Sequence, residues 1–235
     1  MASRVAIDFI GRCSEIRLSQ SCTHSYLDRN LRPMNPNNLV IVDVETSGLN
    51  PFLHQVLAIG LCPLGGQVEP STVYVKHETI NWSARAKEYF PLYQTDWERY
   101  ALAPAKAAAE VERFFSSVSS SRPVQLVGHN IGFDLGFLKQ LAFLSGKDEL
   151  TGASHRVLDT YTMLFLLHEK GLIPSSALTS DGAFRYFGIR ISETQRHTAL
   201  GDALATRDLF RAIFDKFDPT FGGHLSDEHR AVAGR

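Results

Sequence analysis

The chain has 235 residues, of which 44% are hydrophobic and 21% are charged, and its formal net charge is −1. This length and composition are those of an ordinary globular protein with one full domain. The balanced charge argues against a protein that coats long duplexes, because such proteins depend on a basic excess to neutralise phosphates.

The sequence also gives no sign of a membrane or disulfide-dependent protein. No stretch approaches the roughly 18 to 20 apolar residues that cross a bilayer, and Asp8 interrupts the N-terminal apolar run before a signal-peptide core can form. We therefore expect a cytoplasmic location. Cys13, Cys22 and Cys62 lack the spacing of a metal site and are expected to be reduced thiols.

The chain is predicted to have three parts. Residues 1–37 are expected to form an extension or linker, because they end in prolines and asparagines typical of turns, and Val5–Leu18 is predicted to form a short helix. A single domain is predicted over residues 38–217. Residues 218–235 are expected to form a frayed C-terminal tail.

The domain is predicted to begin with an antiparallel meander. The β-branched run Leu39–Val44 is typical of a buried central strand, and the apolar runs Gln55–Cys62 and Ser71–Lys76 follow after short turns. Asn81–Val118 then has a helical pattern, which two prolines divide.

The second half of the domain alternates between strands and helices. A short strand is predicted at Val124–Val127, and another short strand is predicted to end with Val157–Asp159. Helices are predicted at Asn130–Ser145, Tyr161–His168, Ala177–Phe187 and Thr198–Lys216. A meander followed by such alternation predicts an α/β fold, in which a mixed sheet carries helices on both faces.

Two carboxylates end the predicted central strand. Asp43 and Glu45 are two residues apart, so both side chains point to the same side of the strand. Ligands commonly bind at the ends of strands in α/β sheets. The alternative interpretation is a strand that simply runs into solvent.

Asp134 occupies an unusual position for an acidic residue. Phe137, Leu138 and Leu141 follow it at helical spacing, so it lies on the core-facing stripe of its predicted helix. An ionised carboxylate there is costly unless it is paired or metal-bound. The alternative role is a helix N-cap.

Asp202 repeats this pattern on the last predicted helix, followed by Ala205, Thr206, Leu209 and Ile213. His197 precedes it by five residues and is expected in the loop that enters the helix. Four clustered carboxylates would repel one another, by roughly 4 kcal/mol per pair at about 4 Å and an effective dielectric near 20. Such a cluster raises its own pKa values or binds hard divalent cations such as Mg²⁺ or Mn²⁺.

In order and spacing, these segments resemble the three exonuclease motifs of the DnaQ-like, DEDDh family. The segments are Asp43-Val44-Glu45-Thr46-Ser47-Gly48-Leu49, Asn130-x-x-Phe133-Asp134-x-x-Phe137-Leu138 and His197-x-Ala199-x-x-Asp202-Ala203. Leu158-Asp159-Thr160 also resembles the family's Asp-Thr element. The resemblance covers about Leu39 to Phe214.

The resemblance implies a ribonuclease H-like fold with a five-stranded mixed sheet and a two-metal hydrolysis. By analogy, Asp43, Glu45 and Asp202 hold one of two Mg²⁺ or Mn²⁺ ions. Asp43 bridges to the second ion, which Asp134 supports, and His197 acts as the general base. The product is a nucleoside 5′-monophosphate.

The family also suggests a substrate pocket. By analogy with the family, Thr46 and Leu49 would contact the terminal sugar and base. Asn130 and Phe133 would line the same pocket. Turn and core packing is the alternative role for these four residues. The aromatic segment Asn81–Tyr100 matches no subfamily; its rings either stack on bases or pack on the sheet, and packing is favoured.

The resemblance implies a 3′→5′ exonuclease acting on single-stranded DNA or RNA ends or on short oligonucleotides. Its role is either DNA proofreading and repair or RNA processing of the oligoribonuclease type. A homodimer is compatible with both, and the short polar tail gives little support for a polymerase partner. The rival interpretations are a non-catalytic nucleic-acid- or protein-binding module and a different two-metal phosphoesterase.

Overall fold

A five-stranded mixed sheet organises residues 36–66 and 68–217, which are the residues that this computed structural model describes. The strands are β1 (Leu39–Thr46), β2 (Val56–Pro63), β3 (Ser71–Tyr74), β4 (Val124–Gly128) and β5 (Ala153–Asp159). Their order across the sheet is β3-β2-β1-β4-β5. The first three strands are antiparallel, and β1, β4 and β5 are parallel, which confirms the predicted meander with added parallel strands.

Strand β1 lies at the centre of the sheet and is covered on both faces. Leu39 to Val42 are each at most 2% exposed. A strand that is buried on both faces needs apolar residues at successive positions, which accounts for its continuous rather than alternating pattern.

Seven α-helices lie in the described part of the chain. They are α1 (Ala84–Tyr89), α2 (Gln94–Tyr100), α3 (Pro104–Val118), α4 (Gly132–Leu144), α5 (Thr160–Glu169), α6 (Ser180–Phe187) and α7 (Ala199–Phe217). Pro91 lies in a 3₁₀ turn between α1 and α2, and Pro104 is the first residue of α3, where a missing N–H costs nothing. The prolines therefore divide the segment as predicted.

Some predicted boundaries were wrong for identifiable reasons. Helix α4 begins at Gly132 rather than Asn130, because Asn130 has a left-handed φ of 59° that an α-helix cannot contain. Helix α6 begins three residues later than predicted, after a 3₁₀ turn, where the Thr179 hydroxyl caps Gly182. Strand β5 extends back to Ala153 through polar residues that carry no strand pattern.

The helices lie on both faces of the sheet. Helices α3 and α4 pack on one face against apolar side chains of β1 and β2, and α7 packs on the other face of the same strands. This arrangement is the α/β fold with a ribonuclease H-like sheet that the sequence predicted.

The remaining sequence predictions concern the cysteines, membrane spans and termini. Of the three cysteines, Cys62 lies in the described part of the chain, where it is buried and forms no disulfide. No helix within the described ranges combines the length and apolar character of a membrane span. The predicted Val5–Leu18 helix and C-terminal tail lie outside the described residues.

Candidate metal centre and its family

Asp43 and Glu45 project from β1 beside two small residues of β2. In the strand register, Asp43 lies opposite Gly60 and Glu45 lies opposite Ala58. A Cβ atom on Gly60 would lie 2.1 Å from the carbonyl oxygen of Ala199, the first residue of α7. The missing side chain of Gly60 therefore allows the start of α7 to contact the sheet directly next to Asp43.

Asp202 enters the same site from the first turns of α7. The Thr198 hydroxyl accepts a hydrogen bond from the Gly201 amide at 3.2 Å, which fixes where the helix begins. Carboxylate oxygens of Asp43, Glu45 and Asp202 lie within 4.8 Å of one another. A strand and a helix that are distant in sequence thus bring three acidic groups to one point.

The two oxygens of Asp202 have different environments. Oδ2 accepts hydrogen bonds from the Arg196 guanidinium and from the His197 backbone N–H, the latter at 3.3 Å. Oδ1 is buried and has no hydrogen-bond partner among the described residues. A buried carboxylate oxygen without a partner is costly, and a cation at the site would satisfy it.

Asp134 approaches β1 from α4 and lies outside the group of three carboxylates within 4.8 Å. The pairing of β1 with β4 covers Leu39 to Ile41, and beyond it the Val44 amide donates to Asp134 Oδ1 at 3.0 Å. Asp134 is only 4% exposed. It is not the helix cap, since the cap position belongs to Ile131 and the carboxylate bonds to the strand instead.

The electrostatics of the four carboxyl groups follow from burial and proximity. Desolvation raises the pKa of all four, to about 8 for Glu45 and for Asp134, and well above the ordinary range for Asp43. Repulsion from Asp134, Asp202 and Glu45 raises the pKa of Asp43 further. Hard divalent cations with oxygen ligands relieve this crowding, so the residues present fit a metal ion such as Mg²⁺ or Mn²⁺.

His197 lies beside Asp202 in a strained backbone conformation. Its φ is 62°, in the left-handed region that non-glycine residues rarely adopt. Its ring stacks on the Tyr89 ring of α1, with centroids 4.2 Å apart. Desolvation, followed by the charge of Arg196, lowers the pKa of His197 below its ordinary value, which favours the neutral imidazole at pH 7.

The four residues predicted to bind substrate have mixed environments. The Thr46 hydroxyl donates to the Gly48 carbonyl at 2.7 Å, and the Phe133 ring packs on Phe137. These contacts agree with the alternative role in turn and core packing. Leu49 is 80% exposed, and Asn130 is an exposed turn residue whose amide donates to Asp159.

The aromatic segment before α3 mostly packs on the sheet. Its rings contact one another and the cluster around Leu57 and Ala199, as the favoured interpretation predicted, and these rings belong to Trp82, Phe90, Tyr93 and Trp97. Tyr89 and Tyr100 are exceptions, because Tyr89 covers His197 and Tyr100 is 50% exposed.

Two residues at the site carried no signal in the sequence analysis. Arg196 donates a hydrogen bond to Asp202 in the structure. In the sequence, only its position next to His197 distinguished it from a surface arginine. Tyr89 was one of many aromatic residues in its segment. Both contacts depend on how distant elements pack.

The exonuclease family model RNase_T matches residues 40–210 of the chain. A DNA polymerase III subunit epsilon-like protein of Rhodobacter capsulatus is 28% identical over 228 residues, which cover 94% of this chain and 29% of that protein. Ribonuclease T of Marinobacter nauticus is 26% identical and is matched over 76% of this chain and 82% of its own length.

Solved structures share the fold at low sequence identity. E. coli Exonuclease I in complex with a dA16 oligonucleotide has a TM-score of 0.63 at 16% identity, over 79% of this chain and 42% of that one. The zinc-bound form of the E. coli ExoI–ssDNA complex has a TM-score of 0.64, over 83% and 44%. The chain therefore spans less than half the length of these structures and of the Rhodobacter relative.

The match covers most of the chain and includes the four carboxylates and His197. The chain belongs to the RNase_T exonuclease family, and its fold is that of the DnaQ-like exonucleases in the ribonuclease H-like superfamily.

Proposed function

We propose that the chain is a metal-dependent 3′→5′ exonuclease of the DEDDh type. It hydrolyses phosphodiester bonds at single-stranded or short nucleic-acid 3′ ends and releases nucleoside 5′-monophosphates. The observation that carries the proposal is the convergence of Asp43, Glu45 and Asp202 within 4.8 Å of one another, with the His197 backbone N–H bonded to Asp202.

The positions of the four carboxylates assign them to two proposed divalent ions. Asp43, Glu45 and Asp202 would hold one divalent ion, and Asp43 with Asp134 would hold the second. Bound Mg²⁺ or Mn²⁺ lowers the pKa of a water ligand and offsets the charge that develops on the phosphate. The hydrogen bond from the Val44 amide orients the Asp134 carboxylate.

His197 would act as the general base. Its neutral ring can accept a proton from the attacking water, and the Tyr89 ring limits the orientations it adopts. The His197 amide also binds Asp202, so one short segment connects the base to a carboxylate of the proposed metal site.

The substrate class is a single-stranded or short 3′ end of DNA or RNA. Leu49 and Asn130 are exposed and would contact the terminal nucleotide, and Thr46 and Phe133 would line the same pocket. The relatives include a DNA polymerase III subunit epsilon-like protein and a ribonuclease T, so their names are compatible with either DNA or RNA as the substrate. A polymerase partner is supported only by the Rhodobacter relative's name, and a homodimer stays a prediction from the sequence.

A digestion panel tests the proposal. The substrates are 5′-labelled single- and double-stranded DNA and RNA, both long oligonucleotides and dinucleotides, each with Mg²⁺, Mn²⁺ or EDTA. We expect a ladder that shortens from the 3′ end of single strands with either cation and no digestion in EDTA.

Two variants complete the panel. Asp43→Asn should lose activity by about 10³-fold or more, because it removes a charge that holds the catalytic cation. Asp215→Asn is the matched control, since Asp215 is an exposed carboxylate on α7, outside the cluster, and should retain wild-type activity. Equal activity of the two variants, or no digestion of any substrate by wild type, would refute the proposal.

A further inference from the structure

Arg196 is shared between an acid of the proposed metal site and an acid outside it. Its Nη1 donates to Asp202 Oδ2, while its Nε and Nη2 donate to Asp181 Oδ1 at 3.1 and 2.7 Å. Nη2 also reaches the Ser180 hydroxyl at 3.4 Å, and the guanidinium carbon lies 5.5 Å from the centroid of the Phe184 ring.

These contacts are divided unequally between two helices. Asp181, Ser180 and Phe184 all belong to α6, and they hold two nitrogens and one face of the guanidinium. Asp202 on α7 binds only Nη1. The arginine can therefore release Asp202 while it keeps every contact with α6.

The positive charge of Arg196 acts on three of the four carboxylates. Desolvation raises the pKa of Asp43, Glu45 and Asp202, and the charge of Arg196 opposes that effect at all three. The guanidinium thus provides part of the charge neutralisation that a bound divalent ion would provide more fully.

We propose that Arg196 is an exchangeable counter-ion of Asp202, which a divalent cation displaces and which Asp181 retains beside the site. The inference rests on the proposed function, because it requires the cluster to bind a cation. A guanidinium and a divalent ion on the same carboxylate repel each other. Asp202 Oδ1, which is buried without a partner among the described residues, offers the incoming ion its first contact before Nη1 leaves Oδ2.

The other role for this arginine predicts the opposite effect on metal affinity. An arginine that only held Asp202 in position would support the metal site, so its removal would weaken cation binding. An arginine that competes for Asp202 blocks the site, so its removal strengthens cation binding. The sign of the change separates the two roles.

Calorimetric titration of Mn²⁺ into the metal-stripped full chain measures this sign. We expect Arg196→Gln to bind Mn²⁺ about tenfold more tightly than wild type, because a charge-assisted hydrogen bond no longer competes. Arg196→Lys keeps the charge but loses the planar guanidinium, so its Mn²⁺ affinity should lie between those of wild type and Arg196→Gln. Arg185→Gln removes an equal charge from α6 without a contact to Asp202, and it should change the affinity less than twofold.

A substitution at Asp181 tests the counter-ion role independently. Asp181→Asn should weaken Mn²⁺ binding by about threefold, because Arg196 then has no second carboxylate and stays on Asp202. In the Arg196→Gln background the same change should have little effect, since its influence passes through the arginine.

The outcomes separate this inference from the proposed function. Wild-type Mn²⁺ binding that depends on Asp43, together with unchanged or weaker binding by both Arg196 variants, overturns the counter-ion role alone. A wild-type chain that binds no Mn²⁺ overturns both. The melting temperature of each variant in EDTA shows whether it is folded.

Discussion

Asp202 uses one carboxylate oxygen for two hydrogen bonds and leaves the other buried without a partner among the described residues. Buried polar atoms in folded proteins are nearly all satisfied, so each exception needs a physical reason. The proposed function supplies such a reason, because Asp202 shares the site with the carboxylates of Asp43 and Glu45. The crowded carboxylates are electrostatically unfavourable, and the proposed divalent cation would relieve that cost.

His197 provides the first prediction at the scale of single residues. Its replacement by alanine should slow cleavage by about 10² to 10⁴-fold, the usual contribution of a positioned acid or base. Single-turnover assays with excess enzyme measure the effect on the chemical step. His155→Ala, at an exposed position on β5, is the control. A loss well below tenfold would assign the proton transfer to another group.

Glu45 provides a second prediction, which concerns pH. Its pKa rises from 4.5 to about 8 in the folded protein, so the folded state binds its proton more tightly than the unfolded state does. This contribution to stability is therefore fully present below pH 4.5 and is lost as the pH rises through about 8. The raised pKa of Asp134 changes stability with pH in the same direction.

Metal-stripped wild type should lose roughly 2–3 kcal/mol of unfolding free energy between pH 6 and 8.5 through Glu45. Glu45→Gln, which cannot ionise, should show a shallower slope. Urea unfolding in EDTA at several pH values measures both. Parallel pH profiles for wild type and Glu45→Gln would contradict the assigned burial of this carboxylate.

The sequence predicted the burial of some site residues but not the contacts or backbone conformations of others. The burial of Asp134 and Asp202 followed from apolar residues at helical spacing, which is a local pattern. The ion pair of Arg196 with Asp181 joins residues 15 positions apart on separate segments, and no periodicity encodes it. The left-handed φ values of Asn130 and His197 also lack a local signal, because surrounding structure imposes them.

At the scale of elements, the contact between α7 and β2 assembles the site. Gly60→Ala places a Cβ atom 2.1 Å from a backbone oxygen that cannot rotate away. We expect a loss of about 1–3 kcal/mol of unfolding free energy, which is typical of overpacking, and a weaker response to divalent cations because Asp202 moves away from Asp43.

Gly132→Ala is the matched control for this substitution. A Cβ atom at Gly132, the first residue of α4, meets nothing within 4 Å, so alanine there should be neutral or slightly stabilising. Urea unfolding with and without Mg²⁺ compares the two variants. Equal stability and an equal Mg²⁺ response would show that α7 does not depend on this close approach.

The elements themselves were more predictable than their edges. The β-branched run of β1 predicted the central strand correctly, and Pro91 and Pro104 predicted the helix divisions correctly. The end of strand β5 at Asp159 was predicted, but its start at Ala153 was not, because pairing with β4 rather than its own polar sequence holds Ala153 in the sheet. The contact of α7 with Gly60 required the register of β1 and β2, which emerges only in the folded sheet.

At the scale of the whole molecule, the net charge of −1 means that the protein has little positive field of its own. In the proposed function, affinity for a nucleic-acid end would then come from the proposed metal site and a few local contacts rather than from a basic surface. Stability and function oppose each other in the same four carboxylates, since the groups that would hold the cation destabilise the protein without it.

The thermal unfolding of wild type and Asp43→Asn, in EDTA and in saturating Mg²⁺, tests the central claim most directly. In EDTA at pH 8 the variant should melt at or above the wild-type temperature, because it lacks a carboxylate whose pKa is raised well above its ordinary value. With Mg²⁺ at about 100 times its Kd, wild type should gain about 5–10 °C and the variant less than about 2 °C, which reverses their order. An equal Mg²⁺ shift in both proteins would contradict a metal site built on Asp43.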